Sequence, residues 1–343
     1  MKRQHWNAAH LLGGLLLVGM AFGCSSQSLS RIDVGQSSLV GPELKNLLAP
    51  GARLEMIASG FEFVEGPVWH PDGYLLFVDF PQSRIMKWHP NEGISIHREP
   101  TNGANGLVID REGNVLACET GPPGRISRTG HEGAPVPVAE NYQGKRLNSP
   151  NDLTIGADGA IYFTDPVFSE AHERRGGLGF RGVYKIGPSQ VITLLANDFE
   201  WPNGIAISPD QQTLYVNDSA RMHVRAFDIM TDGTVGNDRI FAELRPWAPH
   251  IKGVPDGMEV DSIGNLYVTG PGGVWVFNQD GKRLGIIATP EPPSNCAFGD
   301  EDMRTLYITG TISLFRIRLQ VAAPTPPVQQ VRSPFPFPRR PLS

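Results

Sequence analysis

Six times along the middle of the chain one pattern of positions returns: a polar residue, a few apolar side chains in alternation, a turn, and a second run rich in Leu, Val, Tyr and Phe. The copies begin at Glu65, Asn105, Asn151, Asn203, Asp256 and Asn295, spaced 40, 46, 52, 53 and 39 residues apart. A repeat of that length with strand–turn–strand content predicts blades of about four strands, and six copies predict an all-β, six-bladed β-propeller. A strand-like stretch over 53–58 precedes the first copy, and only 313–319 follows the last. The N-terminal strand is therefore expected to close the last blade, sealing the ring and removing two exposed edges.

Composition agrees with this pattern. The chain has 343 residues, 40 % hydrophobic and 19 % charged, enough to bury a large core. Gly 39 and Pro 30 together make up roughly a fifth of it, against about an eighth in ordinary proteins. Such punctuation argues against a helical bundle or coiled coil, because Pro and Gly interrupt helices and mark turns. The net charge of −5, with no basic cluster in the central chain, argues against nucleic acid as a partner.

The ends read differently. Lys2 and Arg3 precede an apolar run over 11–22, followed by Gly23, Cys24 and a Ser-rich stretch. That run is too short to cross a hydrocarbon core of about 30 Å as a helix, so 1–23 is expected to be an export signal. The small residue before Cys24 looks like a bacterial lipoprotein cleavage site, with Cys24 acylated as the first residue of the mature chain. Ala21 and Phe22 depart from that pattern, which favours Leu and then a small residue. The expectation is a monomer held by a lipid anchor in the cell envelope, on the periplasmic side of the outer membrane, with a free periplasmic or secreted form as the alternative. Residues 24–50 read as a tether, 51–320 as the catalytic propeller and 321–343 as a Pro-rich disordered tail.

Asn-Gly and Asp-Gly pairs are ordinary hairpin signals, and Asn105-Gly106, Asn203-Gly204 and Asp256-Gly257 admit that reading. In five copies, however, the hairpin-like turn comes a constant eight residues later, which puts the polar residue at the head of the blade's first strand. First strands line a propeller's channel, and their heads converge at one face. The expected ring is Glu65, Asn105, Asn151, Asn203, Asp256 and Asn295, all carboxylates or carboxamides. Two carboxylates facing each other in a narrow channel must protonate, find a basic partner or hold a metal, and no Lys or Arg recurs at these positions. Oxygen-only donors suit Ca²⁺, which takes six to eight oxygens at about 2.3–2.6 Å. Zn²⁺ fits less well because His and Cys are absent from the ring; Zn²⁺ and Mn²⁺ are the alternatives.

These residues resemble the family of six-bladed propellers that includes gluconolactonase, senescence marker protein (regucalcin) and luciferin-regenerating enzyme. The resemblance covers roughly 61–316 and is carried by Glu65-Gly-Pro-Val-Trp69, Ser149-Pro-Asn-Asp152, Pro202-Asn-Gly204 and Pro255-Asp-Gly-Met258, in order and at blade spacing. It implies that the family's metal-binding Glu, Asn and Asp fall on Glu65, Asn203 and Asp256. Its substrate-contacting Asn falls on Asn151, a position that is also a metal ligand in the related diisopropyl fluorophosphatase. Ser149 stands where animal members carry a substrate-contacting Arg; the expectation is that Arg146 reaches the mouth in its place, the alternative being a pocket that prefers a less polar lactone.

The activity so implied is metal-dependent hydrolysis of a sugar lactone at the channel mouth. The cation would polarise the carbonyl and Asp256 would activate water as general base or attack the carbonyl itself, while Asn151, Asn105, Asn295 and Arg146 bind substrate. Two other readings use the same residues: a Ca²⁺-dependent phosphotriesterase or aryl-ester hydrolase, and a non-catalytic, membrane-tethered scaffold. No G-x-S-x-G elbow is present, which argues against serine chemistry. His70 lies in the first channel strand, where it either supports the site or is a satisfied structural His. Cys118 and Cys296 fall in different blades and are expected to be buried thiols.

Overall fold

The second strand of every blade is apolar almost throughout, as in Tyr74-Leu-Leu-Phe-Val78, because neither face of a blade meets solvent. The side-chain period of two then divides one strand between two interfaces. Leu75 and Phe77 pack toward blade 6 with Tyr307 and Leu314, and Leu76 and Val78 pack toward blade 2 with Leu107 and Ala117. The same division around the ring gives six buried clusters, one at each blade interface.

The structure, a computed structural model, describes residues 30–32, 41–131, 133–167 and 177–324. The expected export signal, Cys24, much of the tether and the tail from 325 onward lie outside them. Blade 1 runs from the axis outward as Val64–His70, Tyr74–Asp79, Arg84–His89 and Gly93–Arg98, each antiparallel to the last. Blades 2 to 5 repeat that order, with innermost strands Ala104–Ile109, Leu153–Ile155, Pro202–Ile207 and Met258–Val260. Blade 6 draws Asn295–Gly299, Thr305–Thr309 and Ser313–Arg318 from the C-terminal side, and Leu54–Ser59 pairs antiparallel with the last of these. The N-terminal strand thus closes the ring, and Ser30–Ile32 adds one more strand outside it.

Within the stretch read as a tether, the chain from Gly41 onward is packed. The short helix Pro42–Lys45 lies against Arg283–Ala288 of blade 5, with Leu44 fully buried beside Gly285 and Leu47 and Leu48 in the same cluster. Three apolar positions in a polar segment make too weak a pattern to reveal this docking from sequence. No helix among the described residues is long and apolar enough to cross a membrane.

Candidate active site

The ring residues sit where the innermost strands depart from regular pairing. Register shifts fall at Glu65/Val68, Ala104/Leu107 and Pro202/Ile205, at or beside the ring positions of blades 1, 2 and 4. Such bulges re-aim side chains and free backbone groups from the ladder. Backbone groups at the ring join neighbouring blades: the Gly106 N–H donates to the Asn151 carbonyl at 2.8 Å and, in blade 5, the Gly257 N–H to the Ser294 carbonyl at 2.8 Å. Hydroxyls extend the stitching, with Thr164 donating to the Asn203 carbonyl at 2.7 Å and Ser294 to the Val64 carbonyl at 2.5 Å.

Glycine follows the ring residue in four blades because the next blade leaves no room for a side chain. A Cβ on Gly66 would lie 2.0 Å from the Asn105 carbonyl oxygen, on Gly204 2.1 Å from that of Asp256, and on Gly257 1.9 Å from Asn295 Cγ. The Asn-Gly and Asp-Gly pairs are therefore close-approach sites at the axis, while the hairpin turns lie eight residues on.

All six ring residues come together around the channel, but they are used differently. Glu65 is buried and accepts the Gly66 N–H at 3.0 Å and the Asn295 amide at 3.2 Å. Asn295 Oδ1 in turn accepts the Cys296 N–H at 2.8 Å. Asn295, expected among the substrate-binding residues, is thus engaged in orienting Glu65. Asn151 is buried beside Gly106, its N–H donating to the Thr164 carbonyl. Arg146 stands exposed on the small hairpin formed by Asn141–Tyr142 and Lys145–Arg146. His70 belongs to the strand's far end: it stacks on Tyr74 at 4.4 Å, and its Nδ1 accepts the Asp72 N–H. Cys118 and Cys296 are buried free thiols, pushed well above the usual thiol pKa by burial and nearby carboxylates.

Two further carboxylates face this centre. Asp152 occupies the position that Gly holds in four blades and approaches Gly106; Glu259 stands three residues after Asp256. Both carried a sequence signal that the repeat's ring positions overshadow. Asp152 breaks the glycine pattern, and Glu259 is a charge where the other copies have Val68, Val108, Thr154, Ala206 and Phe298.

Burial raises the pKa of all four acids. Glu65 rises to about 8, with Asp152 adding repulsion, and Asp152 itself rises to about 7. Glu259 rises to about 8 from burial and then Asp152. Asp256 goes well above the carboxylate range through burial, then Glu65, then Asp152, while hydrogen bonds from Asn203 and the Gly257 N–H pull it partway back. Asp256 and Glu259 each retain some accessible surface even though they lie deep in the protein. The groups that favour the charged forms are amide donors alone, with no Lys or Arg among them.

Two buried acceptors complete the picture. Asn105 Oδ1 and Asn203 Oδ1 accept no hydrogen bond, although an unmet buried acceptor costs about 1–3 kcal/mol. Carboxylates without a basic partner beside unmet amide oxygens form a donor set that fits a hard divalent cation. Among the described residues, His, Cys, Asp and Glu alone form no metal-holding group of three, so the fit requires the amide oxygens as well.

A closed six-bladed ring with an acidic, oxygen-lined site at its axis defines a β-propeller of the ligand-binding or catalytic kind. Residues 63–312 match the model of the SMP-30/Gluconolactonase/LRE-like region, and the chain belongs to that family. It is 32 % identical to a gluconolactonase of Zymomonas mobilis over 86 % of this chain and 89 % of that protein. It is 30 % identical to a pentonolactonase of Haloferax volcanii over 71 % of this chain and 80 % of that one. The solved structure of a gluconolactonase from Xanthomonas campestris superposes with a TM-score of 0.74 at 32 % identity, covering 87 % of this chain and all of that one.

Proposed function

We propose that this protein is a lactonase, a carboxylic ester hydrolase, which opens sugar lactones at the mouth of its propeller channel with the help of one divalent cation, most simply Ca²⁺. Similarity to gluconolactonases over 86–87 % of the chain, and to a pentonolactonase over 71 % of it, supports the sugar-lactone reading over the phosphotriesterase and scaffold alternatives. The observation that carries the cation is the cluster of unpaired carboxylates beside the unmet Asn203 oxygen. Glu65, Asn203 and Asp256 would hold it, and when bound it supplies Lewis acidity to the lactone carbonyl.

The chain's own groups supply the remaining functions. Asp256, on the channel, takes the proton of the attacking water. Asn151 orients the lactone, and Asn295 keeps Glu65 in place. In the cell we place the domain at the envelope, tethered through an acylated Cys24; the apolar run over 11–22 and the small residue before Cys24 support this.

Hydrolysis of δ-gluconolactone, a pentonolactone and a fluorophosphate by wild type and Asp256→Ala tests the reading. Both lactones are expected to turn over faster than the fluorophosphate. Asp256→Ala is expected to lose about 10³-fold in lactone kcat/KM while keeping its β-sheet circular dichroism. A folded Asp256→Ala with wild-type activity would overturn the assignment.

A further inference from the structure

The side chain of Asn203 can present either its oxygen or its nitrogen to the channel, and only the oxygen can bind a cation. Its nitrogen has two acceptors, the Asp256 carboxylate and the hydroxyl of Ser219, a residue just past the neighbouring strand. Ser219 follows the strand Thr213–Asp218, is buried, and has its N–H bound to the Trp201 carbonyl at 3.0 Å. Its hydroxyl lies 2.5 Å from the Pro255 carbonyl oxygen and 3.1 Å from Asn203 Nδ2.

A hydroxyl has one proton to give. The Pro255 carbonyl can only accept, so the Ser219 proton goes to it, and the serine oxygen is left as an acceptor facing Asn203. The amide must then turn its Nδ2 toward Ser219. That leaves Oδ1 on the other side, where it is buried without a partner. The same hydroxyl ties blade 4 to the residue before Asp256, and Asn217 Nδ2 donates to the Asp256 carbonyl beside it.

We infer that Ser219 is a positioning residue: together with the Asp256 carboxylate it holds the nitrogen of Asn203, so that the unpartnered Oδ1 is left for the cation, and it couples that amide to the backbone leading into Asp256. This rests on the cation reading above. It adds that affinity for the ion depends on a hydroxyl that does not touch it, as outer-shell partners of metal ligands do.

The test is isothermal titration of Ca²⁺ into chelator-stripped protein. Wild type, Ser219→Ala and Ser219→Thr are compared, and Ser219→Ala is repeated in an Asn203→Asp background. Ser219→Ala is expected to weaken Ca²⁺ binding by about tenfold, and Ser219→Thr, which keeps the hydroxyl, by no more than about threefold. In the Asn203→Asp background the effect of Ser219→Ala should shrink to about twofold or less, because a carboxylate has no wrong face. An equal loss in both backgrounds would mean that Ser219 is merely structural, and undiminished affinity in Ser219→Ala would overturn the inference outright. Wild-type protein that takes up no Ca²⁺ or Mn²⁺ would remove the cation reading and this inference together.

Discussion

Asp152 and Asp165 are both buried carboxylates of blade 3, and their partners give them different work. Asp165 accepts the N–H groups of Asn148 and Ser149 at 2.9 and 2.8 Å, closing the segment that leads to Asn151. Asp79 does the same for Glu62 and Phe63, and Asp218 for Glu200 and Trp201. Asp152 closes no such segment and faces the other channel acids. Burial holds Asp165 up at about 7, above its ordinary value of 3.8. The folded protein therefore keeps a proton that the unfolded chain releases. This contribution to stability is full below about pH 4 and is lost as pH rises through about 7. Unfolding free energies from urea titrations between pH 5 and 8 should fall more steeply for wild type than for Asp165→Asn, by about 2 kcal/mol across the window. Identical slopes would show that Asp165 is already ionised in the fold.

The ring residues were legible because the sequence states them six times. Ser219 and Asn217 were not: each acts through single side-chain hydrogen bonds, one of them in each case to another blade, and such pairings leave no periodic trace in the chain. The role of Asn295 was half legible, since its place in the ring follows from the repeat but its engagement with Glu65 depends on where two side chains meet.

At the scale of elements, the turn after each innermost strand repeats one backbone geometry. The residue eight places after each ring member has positive φ in all six blades: Gly73, Gly113, Gly159, Gln211, Gly264 and Met303. Glycine serves four of these positions without steric cost, whereas Gln211 and Met303 carry side chains there. A Cβ on Gly113 would meet nothing within 4 Å, so its replacement isolates the backbone term. Gly113→Ala is expected to destabilise by about 1 kcal/mol in chemical denaturation with lactonase activity intact. A neutral result would show that the turn has room to relax. The eight-residue spacing was readable because it recurs, while the helix Pro42–Lys45 was not, since one turn with three apolar contacts has no period to detect.

At the scale of the whole molecule, the ring and the site depend on each other. Packing both faces of every blade forces six interfaces, and those interfaces bring six strand heads to one axis. Closure by Leu54–Ser59 joins the first and last strands of the propeller in blade 6, next to the blade that carries Glu65. The architecture thereby concentrates acids that each blade alone would expose to water. That concentration is unfavourable unless a cation or protons offset it, and the proposed cation would supply that offset.

The most direct test is to strip the protein with a chelator, return Ca²⁺ in substoichiometric steps, and follow δ-gluconolactone hydrolysis and bound ion in the same sample. A negligible enzymatic rate without the ion and the full rate at one equivalent per chain are expected. Undiminished hydrolysis by protein shown to be free of divalent cation would contradict the cation reading.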